Sequence, residues 1–359
     1  MIIMNKTPLT TIAFPIVDDD GDLMLTVVAK GTFDIVPGDL ARFSAQPSPI
    51  RITPVRWDMK NPSSVRYEDD LAPFKPSTDV IVNATAYAPG GKPLPLWRAG
   101  VRVGALQKRV TVTGPRAWVH TPLLGWSLTE PVAVRQVPLR YELAFGGEGF
   151  EENPVGKGYL DPAKIDKSKA IPAPQILPTP PLHAALRSNA ELERGLGGEV
   201  GRAAGAVKSV GGAYPVEGFG AIAKPWQPRR ARAGTFDETW AAQEKPSLPA
   251  DFDMSYWNAA HPDLCVDGFL RGDERVTLTA MHPEHESLLF RLPGQLVAVG
   301  LVHGSGFRHG APARLDTVFI DADAMRVELT WRATMPLFKV AVKSLHIAIG
   351  SLQSVGGAS

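Results

Sequence analysis

The stretch Asp22-Leu-Met-Leu-Thr-Val-Val-Ala-Lys-Gly-Thr-Phe-Asp-Ile35 decides the fold class. Its β-branched residues, and the alternation around Leu23, Leu25 and Val27, specify an extended strand, and Asp20-Gly21 before it is turn chemistry. A second stretch repeats the pattern. Residues 315–320 and 326–333 are alternating runs on either side of Asp321-Ala-Asp323-Ala324, which places a type I turn and a hairpin there.

Working outward, residues 78–87 and 94–104 read as a hairpin about Ala88-Pro89-Gly90-Gly91, continued by strands at 107–113 and 116–119. Residues 131–145 hold a strand pair, with Pro138 marking an edge or bulge because it has no N–H for a ladder. Strand composition returns at 275–281, 286–292 and 338–349, so one sheet is able to receive strands from both ends of the chain. The 34 Gly and 33 Pro among 359 residues stand well above the roughly 12 % usual for the two together, which favours turns and short strands over long helices.

The expected fold is therefore mainly β: antiparallel sheets in a large sandwich-like arrangement, with an irregular Pro/Gly-rich middle region and few short helices. Residues 1–145 form an N-terminal antiparallel region, 146–260 an irregular excursion and 261–359 a C-terminal β region. Strands of similar character resume after the excursion, so the two β regions are read either as separate domains or as one continuous domain. Within the middle, residues 171–181 are too proline-dense for a helix or a central strand and are expected to run extended over a surface. Residues 186–210 have helix formers undercut by Gly195, Gly197, Gly198 and Gly201, giving short helical turns or mobility.

Composition also bounds function. Hydrophobic content of 44 % with 21 % charged is that of a globular chain. A formal charge of +1, from 38 basic and 37 acidic residues, supplies no overall field for a nucleic acid. The single Cys265 makes no internal disulfide and fits a reducing compartment. Asn5, Lys6 and Thr7 interrupt any signal-peptide core, and no run of about 18 apolar residues exists, so no membrane association is expected and the protein is read as cytoplasmic.

No motif assembles a catalyst. His282-Pro-Glu284-His285 places two imidazoles three residues apart, but Pro283 argues against the helix that would align them, and His303 and His309 lie in a Gly-rich run. Neither a metal nor any other cofactor is expected. Gly304-Ser305-Gly306 lacks the nucleophile elbow, and Cys265 reads as a buried structural thiol. Gly146-Gly147-Glu148-Gly149 lacks the Lys-Ser/Thr of a phosphate loop. Asp251 with Asp253 and Asp321 with Asp323 are adjacent carboxylates that do not face one another, and Asp253 is expected to cap a turn or pair with arginine. Trp97, Trp118 and Trp126 read as core in preference to a carbohydrate-binding row.

The segment from Trp226 to Trp240, closed by Pro249-Ala-Asp251-Phe252-Asp253, has no helical or strand period. Aromatic residues and opposite charges alternate there with Pro and Gly, which describes an ordered, half-buried loop held by packing and ion pairs. Trp226, Arg229, Arg232, Asp237, Trp240 and Trp257 are the candidate partner-binding residues, set against a reading in which cation–π contacts, each about 0.5–2 kcal/mol, merely lock the loop.

Together with Val27-Val28-Ala-Lys30-Gly31-Thr32-Phe33, Asn83-Ala84, residues 138–147, Asn153-Pro154-Val155-Gly156, Gly218-Phe219-Gly220, residues 248–253, Leu315-Asp316-Thr317-Val318 and Trp331-Arg332, this segment resembles domain-of-unknown-function family 2169, which is found with type VI secretion spike genes. The resemblance spans nearly the whole chain and departs from the usual pattern at the Gly/Ala-rich stretch 186–210. It implies a cytoplasmic adaptor or chaperone that binds an effector, often one with a PAAR-type tip, and helps load it onto the trimeric spike protein. It implies binding and not turnover, and it assigns no binding residues. A β-rich adaptor holds an extended segment at an open sheet edge or covers an apolar surface with an aromatic groove, here expected near Trp226, Trp240 and Trp257. The competing reading is a metal- or carboxylate-dependent hydrolase using His282, His285 or Asp253.

Overall fold

The computed structural model describes residues 1–18, 21–179, 189, 191–192, 215–337 and 341–352. It is mainly β. Its largest sheet has nine strands, whose path runs Ile2–Asn5, Val342–Ser351, Gln295–His303, Arg308–Asp321, Arg326–Pro336, Leu23–Asp34 and Thr10–Val17, while Arg42–Phe43 pairs with Leu23–Asp34 and Asp79–Asn83 with Arg308–Asp321. The expectation that one sheet takes strands from both ends is met: Ile2–Asn5 lies parallel to Val342–Ser351.

The two end strands of that path are separated in sequence only by residues 6–9. From Asn5 to Thr10 the chain spans no more than roughly 18 Å at full extension. The sheet therefore curls into a half-barrel whose two edges approach each other at a seam. Asn5 fixes this corner, donating from Nδ2 to the Leu9 carbonyl at 2.6 Å and accepting from Thr7 N–H at 2.9 Å.

Strand Leu23–Asp34 shows how the sheet is covered. Leu25, Val27, Ala29 and Phe33 enter the common core with Val327, Leu329 and Trp331 of the adjacent strand, each large side chain contributing about 1.5–3 kcal/mol by burial. Thr26, Lys30 and Thr32 face the other way and are equally buried, because residues 47–75 roof that face: Thr26 Oγ1 donates to the Pro73 carbonyl at 3.0 Å, and Thr32 Oγ1 accepts from Ser48 N–H at 2.8 Å.

A five-stranded sheet, in the order Ile176–Pro178, Leu106–Thr113, Leu96–Val103, Arg275–Thr279 and Ser287–Arg291, closes the other side of the core with Trp97, Val101, Val103, Val110, Leu278 and Phe290. A smaller cluster of Trp118, Phe145, Ile171, Ala173, Leu177 and Leu192 lies apart, with Trp126 packed against it. Trp97 and Trp118 are buried, so the core reading holds for them.

Two local expectations are corrected, and one strand goes beyond them. Residues 78–87 and 94–104 do not pair: Asp79–Asn83 joins Arg308–Asp321 in parallel, whereas Leu96–Val103 turns back through Gly104 onto Leu106–Thr113. Gly104 has φ +58°, which supplies the left-handed residue such a turn needs. Residues 171–178 are not draped over a surface. Ile171, Ile176 and Leu177 are buried, and Ile171–Pro172 and Ile176–Pro178 are edge strands, where a missing proline N–H costs nothing. Gln295–His303 is a nine-residue strand that the Gly-rich sequence after it obscured. Apart from Asn189, Glu191 and Leu192, the stretch 186–210 lies outside the described residues.

Candidate functional site

The segment 215–265 is welded to the roof over the large sheet. Glu68-Asp69-Asp70 supplies three consecutive carboxylates, each taking a different cation. Glu68 accepts from Arg229 Nη1 at 3.0 Å, Asp69 from Lys224 Nζ at 2.5 Å, and Asp70 from Lys30 Nζ. Burial pushes the Glu68 carboxyl up, with the Arg229 guanidinium opposing it. Arg229 is 1 % exposed and also donates to the carbonyls of Ile222 at 2.6 Å and Tyr256 at 2.9 Å, so one side chain fixes three chain segments.

Beneath the roof the charges continue. Arg51 makes a two-pronged pair with Glu328 at 2.6 and 2.7 Å. Although burial favours its protonated form, the Arg51 hydrogen bonds and the Lys30 charge hold Glu328 at about 2. Asp316 sits at a register break between Leu315 and Thr317, and this bulge directs its carboxylate onto Arg332 Nε at 2.6 Å. Lys75 bridges Thr317 Oγ1 and Asp79 at 2.8 Å each, and Asp79 accepts from Asn258 Nδ2 and Ala259 N–H at 2.8 Å. Lys30, Arg51, Lys75 and Arg332 thus balance Asp70, Asp79, Asp316 and Glu328. The four cations line a cavity of about 30 Å³ together with Asp70 and Glu328, room enough for a water molecule.

The six candidate residues separate into two groups. Trp226 is 5 % exposed and meets Tyr141 edge-to-face at 5.8 Å, and Arg229 is locked as described. Trp257 is half-buried beside Phe252 and Tyr256, with Lys224 Nζ at 5.7 Å from its ring. Arg232 reaches the Ser255 carbonyl at 3.5 Å and Asp253 at 3.9 Å. Asp237 and Trp240 lie on a separate projection. Asp237 caps helix Glu238–Gln243 by accepting from Trp240 N–H at 2.9 Å, and Trp240 Nε1 donates to the Ser247 carbonyl at 2.9 Å. Cation–π locking is present, with Arg229 stacked 5.4 Å from the Tyr256 ring centre. Beside this corner is an apolar groove of about 440 Å³ lined by Tyr141, Phe150, Ile222, Pro228 and His261; the three tryptophans are not among its described lining residues.

The remaining sequence candidates resolve individually. Asp253 accepts from Ser255 N–H at 2.8 Å, capping a turn. His282 and His285 stack at 4.7 Å, and His282 Nδ1 accepts from the N–H of Glu284 and His285. Cys265 is half-buried, 3.5 Å from Asp79, and burial followed by that carboxylate raises its thiol pKa. Gly146 and Gly147 lie where a Cβ would approach the Asn153 and Tyr159 carbonyls to 2.1 and 2.5 Å, so close chain passage accounts for them.

Sequence reading missed one ligand-like cluster, Glu217, His261 and Asp263, whose donor atoms lie within 4.8 Å of one another. Its centre is filled by the protein's own cation. Lys108 Nζ reaches Glu217, Asp263 at 3.0 Å and His261 Nε2 at 3.4 Å. Burial, then the Lys108 charge, lowers His261 to about 4, so the imidazole is neutral at pH 7.

What the roof does for one face of the sheet nothing described does at the seam. Met1, Ile2, Ile3 and Met4 are 41–64 % exposed, and Ile2–Asn5 is the end strand of the sheet, paired on one side only among the described residues. The opposite edge, Thr10–Val17, carries an exposed Pro15, a device that discourages further pairing; Ile2–Asn5 has neither proline nor charge.

Residues 20–332 match the family described as uncharacterized protein conserved in bacteria (DUF2169). No curated protein and no solved structure matches the chain. No helix among the described residues is long and apolar enough to cross a membrane.

Proposed function

We propose, from the premise that the chain belongs to the DUF2169 family, that it is an adaptor that binds a type VI secretion effector, one with a PAAR-type or related tip, and assists its loading onto the spike protein. The observation that carries this reading is the seam strand. An apolar strand exposed on both faces, with a row of N–H and C=O groups that no described residue pairs, is a template for an extended segment of another polypeptide: main-chain bonds supply affinity and the flanking side chains supply selectivity. The rigid ionic roof supports the same reading, because a sheet held in a fixed curl presents its edge without first ordering it.

Binding at the aromatic corner is the weaker mode, since Trp226 and Arg229 are consumed internally. Co-expression of the full chain with effectors encoded beside it, followed by capture on the tagged adaptor, tests the proposal. Ile2→Lys/Met4→Lys charges the edge as natural edge strands do and is expected to cut effector recovery at least tenfold while the melting temperature holds. Undiminished recovery would overturn the seam mode, and capture of no neighbouring effector or spike protein by the wild type would overturn the adaptor reading itself.

A further inference from the structure

The outer face of the five-stranded sheet collects arginines. The rows Lys108, Val101, Leu278, Leu288 and Val103, Val276, Phe290 point into the core, so the alternate positions point outward. Among these outward positions are Arg102, Arg109, Arg275 and Arg291, all exposed, with Gln107, Thr277, Thr279, Ser287 and Leu289 between them and no carboxylate. Arg275 and Arg291 are direct cross-strand partners, an arrangement of like charges that destabilises a sheet. Three acids flanking these strands are engaged with other groups: Asp39 with Arg42 at 2.6 Å, Asp273 with Arg271 at 3.8 Å, and Glu274 with the N–H groups of Arg271 and Gly272.

In a chain of net charge +1, this is a segregated basic surface, and it is concave. A cleft of about 770 Å³ is lined by Arg102, Arg275, Arg291, Thr277 and Leu289, with Gly38 and Gly104 at its rim. Leu289 is 53 % exposed on its floor. From Leu106–Thr113 to Ser287–Arg291 there are three interstrand steps, roughly 14 Å, the reach of about four extended residues.

We propose that this face docks an acidic, extended segment of a partner polypeptide, with carboxylates at alternate positions set on the arginines and an aliphatic side chain on Leu289. Guanidinium groups accept carboxylates through paired hydrogen bonds. Phe290 also lines the cleft but is 2 % exposed and belongs to the core, so among the described residues no exposed aromatic ring stands on this face for bases to stack upon, which favours polypeptide over single-stranded nucleic acid. The proposal stands apart from the seam strand, which lies in the other sheet.

Fluorescence anisotropy of the full chain tests it with three probes: a ten-residue peptide alternating Glu and Val, its Lys/Val counterpart, and a ten-nucleotide oligothymidylate. The acidic peptide is expected to bind, and to weaken as salt rises from 50 to 300 mM. Arg275→Glu converts the like-charge pair into an ion pair, so folding is not put at risk, and it should weaken the acidic peptide at least tenfold; Arg102→Glu should do the same. Lys164→Glu carries the same charge change on an exposed lysine away from this face and should alter affinity less than twofold. Equal weakening by Lys164→Glu, no binding of the acidic peptide, or oligothymidylate binding as tightly as that peptide would overturn the proposal. None of these readouts uses an effector, so their failure is distinct from failure of the adaptor reading.

Discussion

Two parts of the same nine-stranded sheet treat their polar and apolar groups in opposite ways. Under residues 47–75, Lys30, Arg332, Asp79 and Glu328 are buried and every one is paired. At the seam, Met1 to Met4 leave large apolar side chains in water and a strand edge unpaired among the described residues. A buried charge network of this completeness adds little net stability over a hydrophobic equivalent, but it resists any change of register, because moving one member strands another. The contrast assigns the roofed face to holding the curl and the seam to contact with something else.

The strongest way to break the contrast is to unbalance the roof. Asp79 is 0 % exposed and collects Lys75, Asn258 and Ala259. Asp79→Ala leaves the Lys75 ammonium buried without its carboxylate and frees the 258–259 segment, for which a loss of about 3–5 kcal/mol is expected. Urea unfolding followed by tryptophan fluorescence measures it; a change below about 1 kcal/mol would mean that the network is not holding the sheet.

Acid sharpens the comparison without changing the roof's packing. Glu328 titrates at about 2 in the folded protein against an ordinary 4.5, so between these values the unfolded chain binds the extra proton. Its contribution is complete above pH 4.5 and disappears as pH falls toward 2, amounting to about 3 kcal/mol. The stability gap between wild type and Glu328→Gln should therefore be widest above pH 4.5 and close toward pH 2, as read from urea midpoints at each pH. His261, lowered to about 4 from 6.5, acts earlier: its neutral folded form costs stability as pH falls from 6.5 to 4.

How much of this was legible follows from the range of the interactions. Residues 22–35 and 315–333 declared themselves as strands because alternation is local, and their pairing across the hairpin needed only a four-residue loop. The partner of Asp79–Asn83 is a strand over two hundred residues away, and the nearer turn at Ala88-Pro89-Gly90-Gly91 pointed to the wrong one. The ordered character of residues 226–253 was visible in their composition, whereas the location of their anchor was not. Glu68-Asp69-Asp70 has the sequence appearance of a solvated acidic turn. Only Lys30, the one cation in a strand rich in β-branched residues, hinted that carboxylates had to be found for it.

The smallest expected effect comes from the seam. Ile2 and Met4 are 64 % and 41 % exposed, so roughly half of the 1.5–3 kcal/mol available to each on full burial is realised at most, and the lysine stems of Ile2→Lys/Met4→Lys recover part of that contact. The double variant should lie within about 1 kcal/mol of wild type in urea, several-fold less than Asp79→Ala. A loss near that of Asp79→Ala would place the seam strand among the elements that hold the fold and remove the distinction between the two regions. A small loss joined to failed effector capture would separate the two roles cleanly, because the same sheet would then be shown to keep its shape with one face and meet its partner with one edge.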